Sequence, residues 1–507
     1  MNSEQLRDKI EQALWRVVDA HPWVQSATLP GSFWERPSLE TASDIDVVLV
    51  VDELTEGRYD ALLAAAEESV RPLLAEHGYE LVLNPTLGPL KLNRPRTAVL
   101  HLMLYSAEAH AEHAVASPFT CFDWQRSARW RGQPLAEMFP VFALQAQHFV
   151  GARRGLGDYL RDFRAREVSF RRLEFTAEGY REARCARPMK QRDAHEFAYH
   201  VMRFLIENLR KLFHRDNATP GRDRLLADFF AIFPDDREAS ERLLAELAAK
   251  KETSDFTEPV AGLDARLEAF CAVVERQFRR IFYDDATRHV AFRHAPTELN
   301  ESRSGKRIFL GRSNPPLAPA CSDDYRSLAD IVKSLAPSSV YNSPLSRCRQ
   351  SLDELRAQFS LPETSVDERL VEIDYGQCEA LTVVEARRIH PDFFDQLQSG
   401  TDPPFPGGGE NTRAVHERVR SFAADRWAAA KGNTLTCTHN VVLRCLVGET
   451  LALPAAQWHR LQIPHWAPQV FIETRAHGRF VDLPADSMRH LFKDFAWQAS
   501  AELACKS

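Results

Sequence analysis

His289-Val290-Ala291-Phe292-Arg293-His294-Ala295-Pro296-Thr297-Glu298-Leu299-Asn300 opens the last part of the chain, and its reading decides the fold there. His289 to Phe292 reads as a short buried strand, and Arg293-His294 follows it directly. Beyond it strand and helix patterns alternate. A helix is expected from Tyr325 to Leu335, a strand from Ser339 to Asn342, a helix near Ser346 to Phe359, a strand from Thr434 to Cys437 and a helix from Val441 to Leu451. That alternation predicts a doubly wound parallel sheet covered by helices on both faces. Ligands bind such sheets in the crevice outside the carboxyl ends of the strands. Two further fragments follow strands there, Ser343-Pro344-Leu345-Ser346-Arg347 and Thr438-His439-Asn440, and Glu372-Ile373-Asp374-Tyr375-Gly376 is loop-like.

Working outward, 507 residues exceed what one hydrophobic core supports, so two or three domains are expected. Apolar content of 44% and charged content of 27% are those of soluble globular protein, and no run reaches the roughly 18 apolar residues of a membrane helix. The polar start MNSEQLRDKI and nine cysteines without paired spacing point away from export and towards a reducing cytoplasm, with no membrane partner. A net charge of −7 gives no general attraction to nucleic acid. The stretch from Arg153 to Arg215 is locally basic, which leaves a solvated helix face and a phosphate-facing surface both open.

The first part of the chain has a different texture. Helical spacing from Ser3 to His21 precedes Gly31-Ser32 and the apolar strand Ile45 to Val51; a helix from Tyr59 to His77 and strands Tyr79 to Leu83 and Thr97 to Tyr105 follow. This predicts a small mixed α/β domain over 1–118. Between 119 and 283 almost no strand pattern is present, while Ala194 to Phe213 and Leu263 to Phe282 are amphipathic, so a helical middle domain is expected. The last domain then spans 284–507, and Pro403 to Gly409 is its candidate mobile loop.

Arg293-His294-Ala295-Pro296-Thr297-Glu298-Leu299-Asn300 with Gly311-Arg312-Ser313-Asn314-Pro315-Pro316-Leu317, then Ser343 to Gln350, Glu372 to Gly376 and Thr438-His439, resembles in order the motifs of the histidine phosphatase (phosphoglycerate mutase-like) superfamily over roughly 287 to 480. The resemblance implies that His294 is phosphorylated while Arg293, Arg347 and a protonated His439 neutralise the phosphoryl oxygens. Asn300 would add a neutral donor. Glu372 would protonate the leaving oxygen and then deprotonate water, with Asp374, Glu368 and Glu379 close enough in sequence to take that role. No metal or other cofactor is implied for this reaction. Departures from the family stand at Ala295, whose methyl group is expected to narrow the pocket, at Cys378-Glu379-Ala380 and at Asn440. The Gly311 to Leu317 element is most like that of small phosphatases acting on sugar, nucleotide or cobamide-precursor phosphates.

Gly31-Ser32 and Ser43-Asp44-Ile45-Asp46 form a second constellation, because carboxylates two apart on a strand share a face and can share divalent cations, Mg²⁺ being the expected ion. The pattern resembles the polymerase-beta-like nucleotidyltransferase superfamily. It implies that Asp44 and Asp46 hold Mg²⁺-nucleotide, that Gly31 and Ser32 lie at the phosphates, and that an acceptor hydroxyl attacks the α-phosphate. A third carboxylate usual in that family is replaced on the later strand by His101, leaving Glu80 or an acid of the helical segment to substitute. The combined expectation is a multidomain α/β bifunctional enzyme: Mg²⁺-dependent nucleotidyl transfer from a nucleoside triphosphate to a small-molecule acceptor, and hydrolysis of a phosphorylated small molecule. RNA end processing and a phosphatase regulated by a non-catalytic nucleotide-binding domain are the alternatives.

Overall fold

A computed structural model of the chain describes residues 3–35, 39, 44–88, 96–139, 144–146, 157–216, 218, 220–253, 255–302, 308–319, 325–482 and 490–491. Two compact units are present. The described residues up to Leu144 and from 157 to Gln277 form one, and Gln145, Ala146 and the residues from Phe278 onward form the other.

In the first unit the strands are β1 (Val24–Thr28), β2 (Asp44–Val51), β3 (Glu80–Asn84), β4 (Thr97–Ser106) and β5 (Trp130–Gly132), in the order β3-β4-β2-β1-β5. β3, β4 and β2 run parallel, and β1 is antiparallel to both β2 and β5. Helices Ser3–Asp19 and Glu56–Ala75 bury Leu6, Ile10, Leu14, Leu62, Val70 and Leu74 in the core beside Ile45, Val47 and Leu49 of β2. Their apolar residues recur at helical spacing, which is why the sequence pattern located both.

Two expectations for the middle of the chain are corrected. β6 (Glu167–Thr176) and β7 (Gly179–Pro188) form a two-stranded antiparallel hairpin where almost no strand pattern was read. Only Val168 and Ser169 of its positions are buried, so apolar alternation is weak; Arg171–Glu182, Arg181–Glu174 and Arg184–Glu167 pair across its strands. The same pairs, with Arg164–Glu268 and Arg166–Asp264, spend on carboxylates many of the arginines that made the stretch read as basic. Residue 118/119 is not a division between compact units either. Leu87 bridges Arg171, Tyr59 lies 5.2 Å from Phe175, and the Tyr180 hydroxyl meets Ser106 Oγ at 2.9 Å, so the hairpin packs onto the first sheet's core. Helices Gln191–His214, Arg222–Ile232, Arg237–Thr253 and Leu263–Arg279 follow, the last leading into a π turn, Arg280–Asp284.

The second unit carries β8 (Thr287–Arg293), β9 (Ser339–Asn342), β10 (Thr364–Val366), β11 (Thr434–Thr438), β12 (Pro468–Thr474) and β13 (Gly478–Asp482), ordered β10-β9-β11-β8-β12-β13. The first four are parallel, but β12 is antiparallel to both β8 and β13, so the sheet is mixed where a parallel one was expected. Arg475 to His477 form a tight turn with no helix between β12 and β13, and a short turn joins only antiparallel strands. β8 is interior, which accounts for the complete burial of Val290, Ala291 and Phe292.

Pro403 to Gly409, expected to be mobile, is instead packed. Gln377 N donates to Pro406 O at 2.8 Å, Gly409 N to Phe405 O at 3.0 Å, and the Phe405 ring lies 4.8 Å from Tyr375 and 4.7 Å from Phe393. Its glycines answer to backbone conformation, and the same rule exposes a strain nearby. Ala380 has φ +62° with its N–H on Phe309 O at 2.7 Å, a left-handed position that alanine adopts at a cost of about 1 kcal/mol. Ala380→Gly is therefore expected to stabilise the chain by roughly 0.5–1 kcal/mol, read as a higher urea midpoint with unchanged slope; a lower midpoint would contradict this reading.

Candidate active site

The carboxyl ends of three adjacent parallel strands build one site. β8 ends at Arg293 and delivers His294; β9 ends at Asn342 and delivers Ser343 ahead of helix Ser346–Arg356, whose second residue is Arg347; β11 ends at Thr438, and His439 caps helix Asn440–Thr450. Register makes this convergence unavoidable, since Thr438 pairs with Arg293 and Cys437 with Asn342. Thr438 Oγ1 also donates to Leu370 O at 2.9 Å and so pins the loop that brings in Glu372.

Arg347, fully buried, is the centre of the arrangement. Its Nε donates to His294 Nε2 at 3.0 Å, Nη1 to Ser313 O at 2.6 Å, and Nη2 to Gly311 O at 2.7 Å and His439 Nδ1 at 3.1 Å. A guanidinium only donates, so both imidazole nitrogens facing it are lone pairs. The protons then sit on His294 Nδ1, donated to Ala295 O at 2.6 Å, and on His439 Nε2, donated to Ser343 Oγ at 2.7 Å. Both rings are neutral. Burial first, then neighbouring charges that include Arg347, holds each well below the usual histidine range. The expectation of a protonated His439 is corrected for this state, because Arg347 and Arg293 repel a third cation.

Arg293 donates Nη1 to Ile463 O at 2.9 Å, keeps its Nε buried without a partner, and is pushed down to about 10 by burial. Glu372 is 3% exposed; its carboxylate accepts from Ile373 N at 3.0 Å and Val441 N at 3.3 Å, and burial raises its pKa in spite of those bonds and of Arg347 and Arg293. The three neighbouring acids are otherwise engaged or placed. Glu368 is exposed, Asp374 pairs with Arg312 at 3.4 Å, and Glu379 accepts from Gly311 N at 3.0 Å and Ser313 Oγ at 2.5 Å, ordering the loop whose carbonyls hold Arg347.

Asn300 Oδ1 accepts from Thr297 N at 3.0 Å and Thr297 Oγ1 at 2.8 Å, so the oxygen closes the turn after the histidine while the N–H expected to donate takes no part in it. One expectation fails in detail. Ala295 is fully buried in the core with Phe292, Leu328 and Trp466, which puts its methyl group into the packing and not beside the nucleophile. Three further residues also belong to the site: Ser343, which opens a quoted motif without an assigned role, and Ser351 and His465, which lie outside the motifs. Ser343 accepts from His439, Ser351 Oγ accepts from Ala295 N at 2.9 Å, and His465 Nδ1 meets His294 O at 2.8 Å. Ser351 was discoverable from its spacing four residues after Arg347; His465 carries no local signal.

The second constellation is also assembled, without Ser43, which lies outside the described residues. Gly31 has φ +99°, and a Cβ there would stand 2.6 Å from Asp46 Oδ2, so glycine permits the turn to approach the carboxylate. Ser32 opens the short helix Ser32–Glu35, and Asp44 and Asp46 share one pleat face with Ile45 buried between them. His101, paired with Asp46 across β4, puts Nδ1 at 2.9 Å from Asp46 Oδ1 and Nε2 at 2.9 Å from Thr86 O. Both partners are acceptors, an arrangement that favours the doubly protonated ring. Burial opposes that charge, and the bond to Asp46 and its charge outweigh burial and raise the pKa. Glu80 does not substitute for the missing acid: it is exposed and paired with Thr97, about 13 Å along the strands from His101. Among the described residues no group of three or more His, Cys, Asp or Glu could hold a metal ion. An Asp46 oxygen already bonded to an imidazolium does not fit the expected Mg²⁺ site.

Residues 290–486 match the family model described as histidine phosphatase superfamily (branch 1). Over 172 residues, 34% of this chain and 78% of the relative, the chain is 27% identical to the probable phosphoglycerate mutase GpmB of Salmonella paratyphi C, and equally so to that of Salmonella choleraesuis. Among solved structures, Bacillus stearothermophilus YhfR is 23% identical, with 39% of this chain and 96% of that one covered and a TM-score of 0.35. Mycobacterial hydrolase 1 is 22% identical, covering 40% and 99%, with a TM-score of 0.34. Among the described residues no helix is long and apolar enough to cross a membrane. The C-terminal part of the chain, residues 290–486, is a histidine phosphatase domain of the phosphoglycerate mutase-like superfamily.

Proposed function

We propose that the chain hydrolyses phosphomonoesters of small molecules through a phosphohistidine on His294. The observation that carries this is Arg347 bonded at once to His294 Nε2 and His439 Nδ1, with the second arginine, Arg293, preceding the nucleophile. A substrate phosphate takes over the Arg347 donors, which frees the Nε2 lone pair to attack phosphorus. The P–O ester bond breaks, and its oxygen leaves with the proton of Glu372, whose raised pKa suits an acid. Water, deprotonated by Glu372, then attacks the phosphohistidine, and His294 returns as a neutral ring with release of phosphate. The Salmonella relatives are named as mutases; transfer back to a second hydroxyl would use the same groups, and hydrolysis needs no second substrate.

The alternative of a nucleotide-binding first unit without transfer is favoured over nucleotidyl transfer by one observation, the imidazolium of His101 on Asp46. RNA end processing is not carried forward, since the arginines of the hairpin are paired across it.

With wild type and a generic phosphomonoester, an acid-labile, base-stable phosphoenzyme is expected, and His294→Ala should lack both it and phosphate release; equal release by the variant removes the mechanism. Glu372→Gln should lower kcat by about 10²–10⁴. Its effect on stability has a definite sign: a carboxyl whose folded pKa is raised weakens the fold once it ionises. The variant is thus expected to be more stable than wild type near pH 7, with the gain vanishing below the ordinary value of 4.5.

Binding of a phosphate dianion should offset the burial and the neighbouring arginines that keep His439 neutral, so its pKa rises on binding and a proton is taken up. Affinity for vanadate or phosphate should be retained below the bound-state pKa and lost above it. Calorimetry in buffers of different ionisation enthalpy should then report net proton uptake on binding, and zero uptake would leave His439 neutral in the complex.

For the first unit, incubation with nucleoside triphosphates and Mg²⁺ should release no pyrophosphate, while saturating nucleotide changes the phosphatase rate. Pyrophosphate release would restore the transferase reading, and an unchanged rate would exclude regulation.

A further inference from the structure

The segment Ile463 to Trp466 crosses the end of β8 and touches it three times. Arg293 Nη1 donates to Ile463 O at 2.9 Å, Trp466 N to Arg293 O at 2.9 Å, and His465 Nδ1 meets His294 O at 2.8 Å. A carbonyl can only accept, so Nδ1 carries the proton and Nε2 of His465 is a lone pair, with no partner among the described residues. On the opposite edge of the same peptide, Ala295 N donates to Ser351 Oγ at 2.9 Å, and Ser351 Oγ donates to Arg347 O at 2.7 Å. The peptide after the nucleophile is thus gripped from both sides, by the helix of Arg347 on one and by His465 on the other.

We infer that His465 is a positioning residue for the nucleophile: its bond to the His294 carbonyl fixes the peptide plane on which the attacking imidazole is aimed. The inference rests on the phosphohistidine reading above. The plane matters because the nucleophile's own Nδ1–H is held by the next carbonyl, Ala295 O, at 2.6 Å. Freeing the 294–295 peptide would loosen Ala295, whose carbonyl is that acceptor, and so release both the tautomer and the direction of Nε2. Trp466 fixes the segment that brings His465 in. Its φ of +63° is a backbone state worth adopting only where something holds it, and its indole stacks on Phe292 with centroids 6.0 Å apart and 9° between planes. His465 brings no charge, since burial and then Arg293 push it down to about 3. Its ring centroid lies 5.3 Å from that of His294, close enough to support the ring without bonding to it.

The test compares His465→Asn and His465→Gln in the full chain with p-nitrophenyl phosphate. Asparagine places an amide N–H where Nδ1 stands and can remake the bond; glutamine fills the ring's volume but puts its amide one methylene too far. Glutamine is expected to slow phosphoenzyme formation by about 10–100-fold, the cost of misaiming a nucleophile, with vanadate affinity within about threefold of wild type. Asparagine should stay within about threefold in both. Phosphoenzyme formation by the glutamine variant at the wild-type rate, or an asparagine variant as slow as the glutamine one, overturns the inference. Should glutamine unfold the domain, the asparagine variant decides by itself: a rate near wild type supports the bond, and a tenfold loss overturns it. Absence of any phosphoenzyme in wild type would instead remove the underlying mechanism, so the two failures are distinct.

Discussion

A buried guanidinium with no carboxylate among its hydrogen-bond partners is the constraint from which the second unit's site follows. Arg347 is satisfied by two backbone carbonyls and two imidazole nitrogens, all neutral acceptors. Bonds to a charged donor contribute about 1.5–3 kcal/mol each, against a desolvation cost of several kcal/mol for the ion. The balance holds only if all the acceptors are aimed inward, which is what the strand ends and the Gly311 to Ser313 loop achieve. Lysine could not serve, because it has three donors on one atom and no planar fork to span His294 and His439. Arg293 makes the deficit larger, with a buried Nε unpaired and its pKa lowered to about 10. Two cations beside two neutral rings and the Glu372 carboxyl, whose pKa burial raises, define a site suited to the anion of a phosphate monoester.

The neutral state of the histidines follows from their burial first and then from the arginines beside them. Each imidazole presents a lone pair to Arg347 because a guanidinium accepts nothing, and the tautomers of both rings are thereby set at once. His294 is left with the reactive nitrogen pointing at the cations that will hold the phosphate, and its other nitrogen is tied to backbone. Glu372 completes the division of labour. It is buried deeply enough to stay protonated longer than an ordinary carboxyl, yet its oxygens rest on the N–H groups of Ile373 and Val441, which can hold the carboxylate once the proton has gone.

The legible part of this site was the part carried by contiguous residues at strand ends. Arg293-His294, Arg347 and His439 each follow a short apolar run, and the sheet register brings them together without further information. Glu372 could be separated from Asp374, Glu368 and Glu379 only by burial and partners, which sequence spacing does not encode. His465 was invisible because it lies on a non-periodic segment and acts on backbone. The hairpin β6–β7 is hidden for a related reason: Arg–Glu pairs line its strands, and charged alternation looks like a solvated helix face. In Pro403 to Gly409 glycine and proline content reports conformational freedom of the unfolded chain, while partly buried Phe405, packed on Tyr375 and Phe393, decides the folded state.

The two motif-bearing sites of this chain show what spacing does and does not specify. In both, short motifs brought the named residues together: Gly31 lies against Asp46 as surely as Arg347 lies against His294. They differ in the charge that the neighbours leave behind. Around Arg347 every hydrogen-bond partner given is a neutral acceptor, so the motif's positive charge is not tied to an anion. Around Asp46 a neighbour on the adjoining strand, His101, has one nitrogen on Thr86 O and the other on the Asp46 carboxylate, and that carboxylate favours the doubly protonated ring. His101 thereby engages one of the two Asp46 oxygens that the motif would offer a divalent ion. A motif thus fixes where charged groups stand, and the residues packed against it decide how much of that charge is left for a ligand.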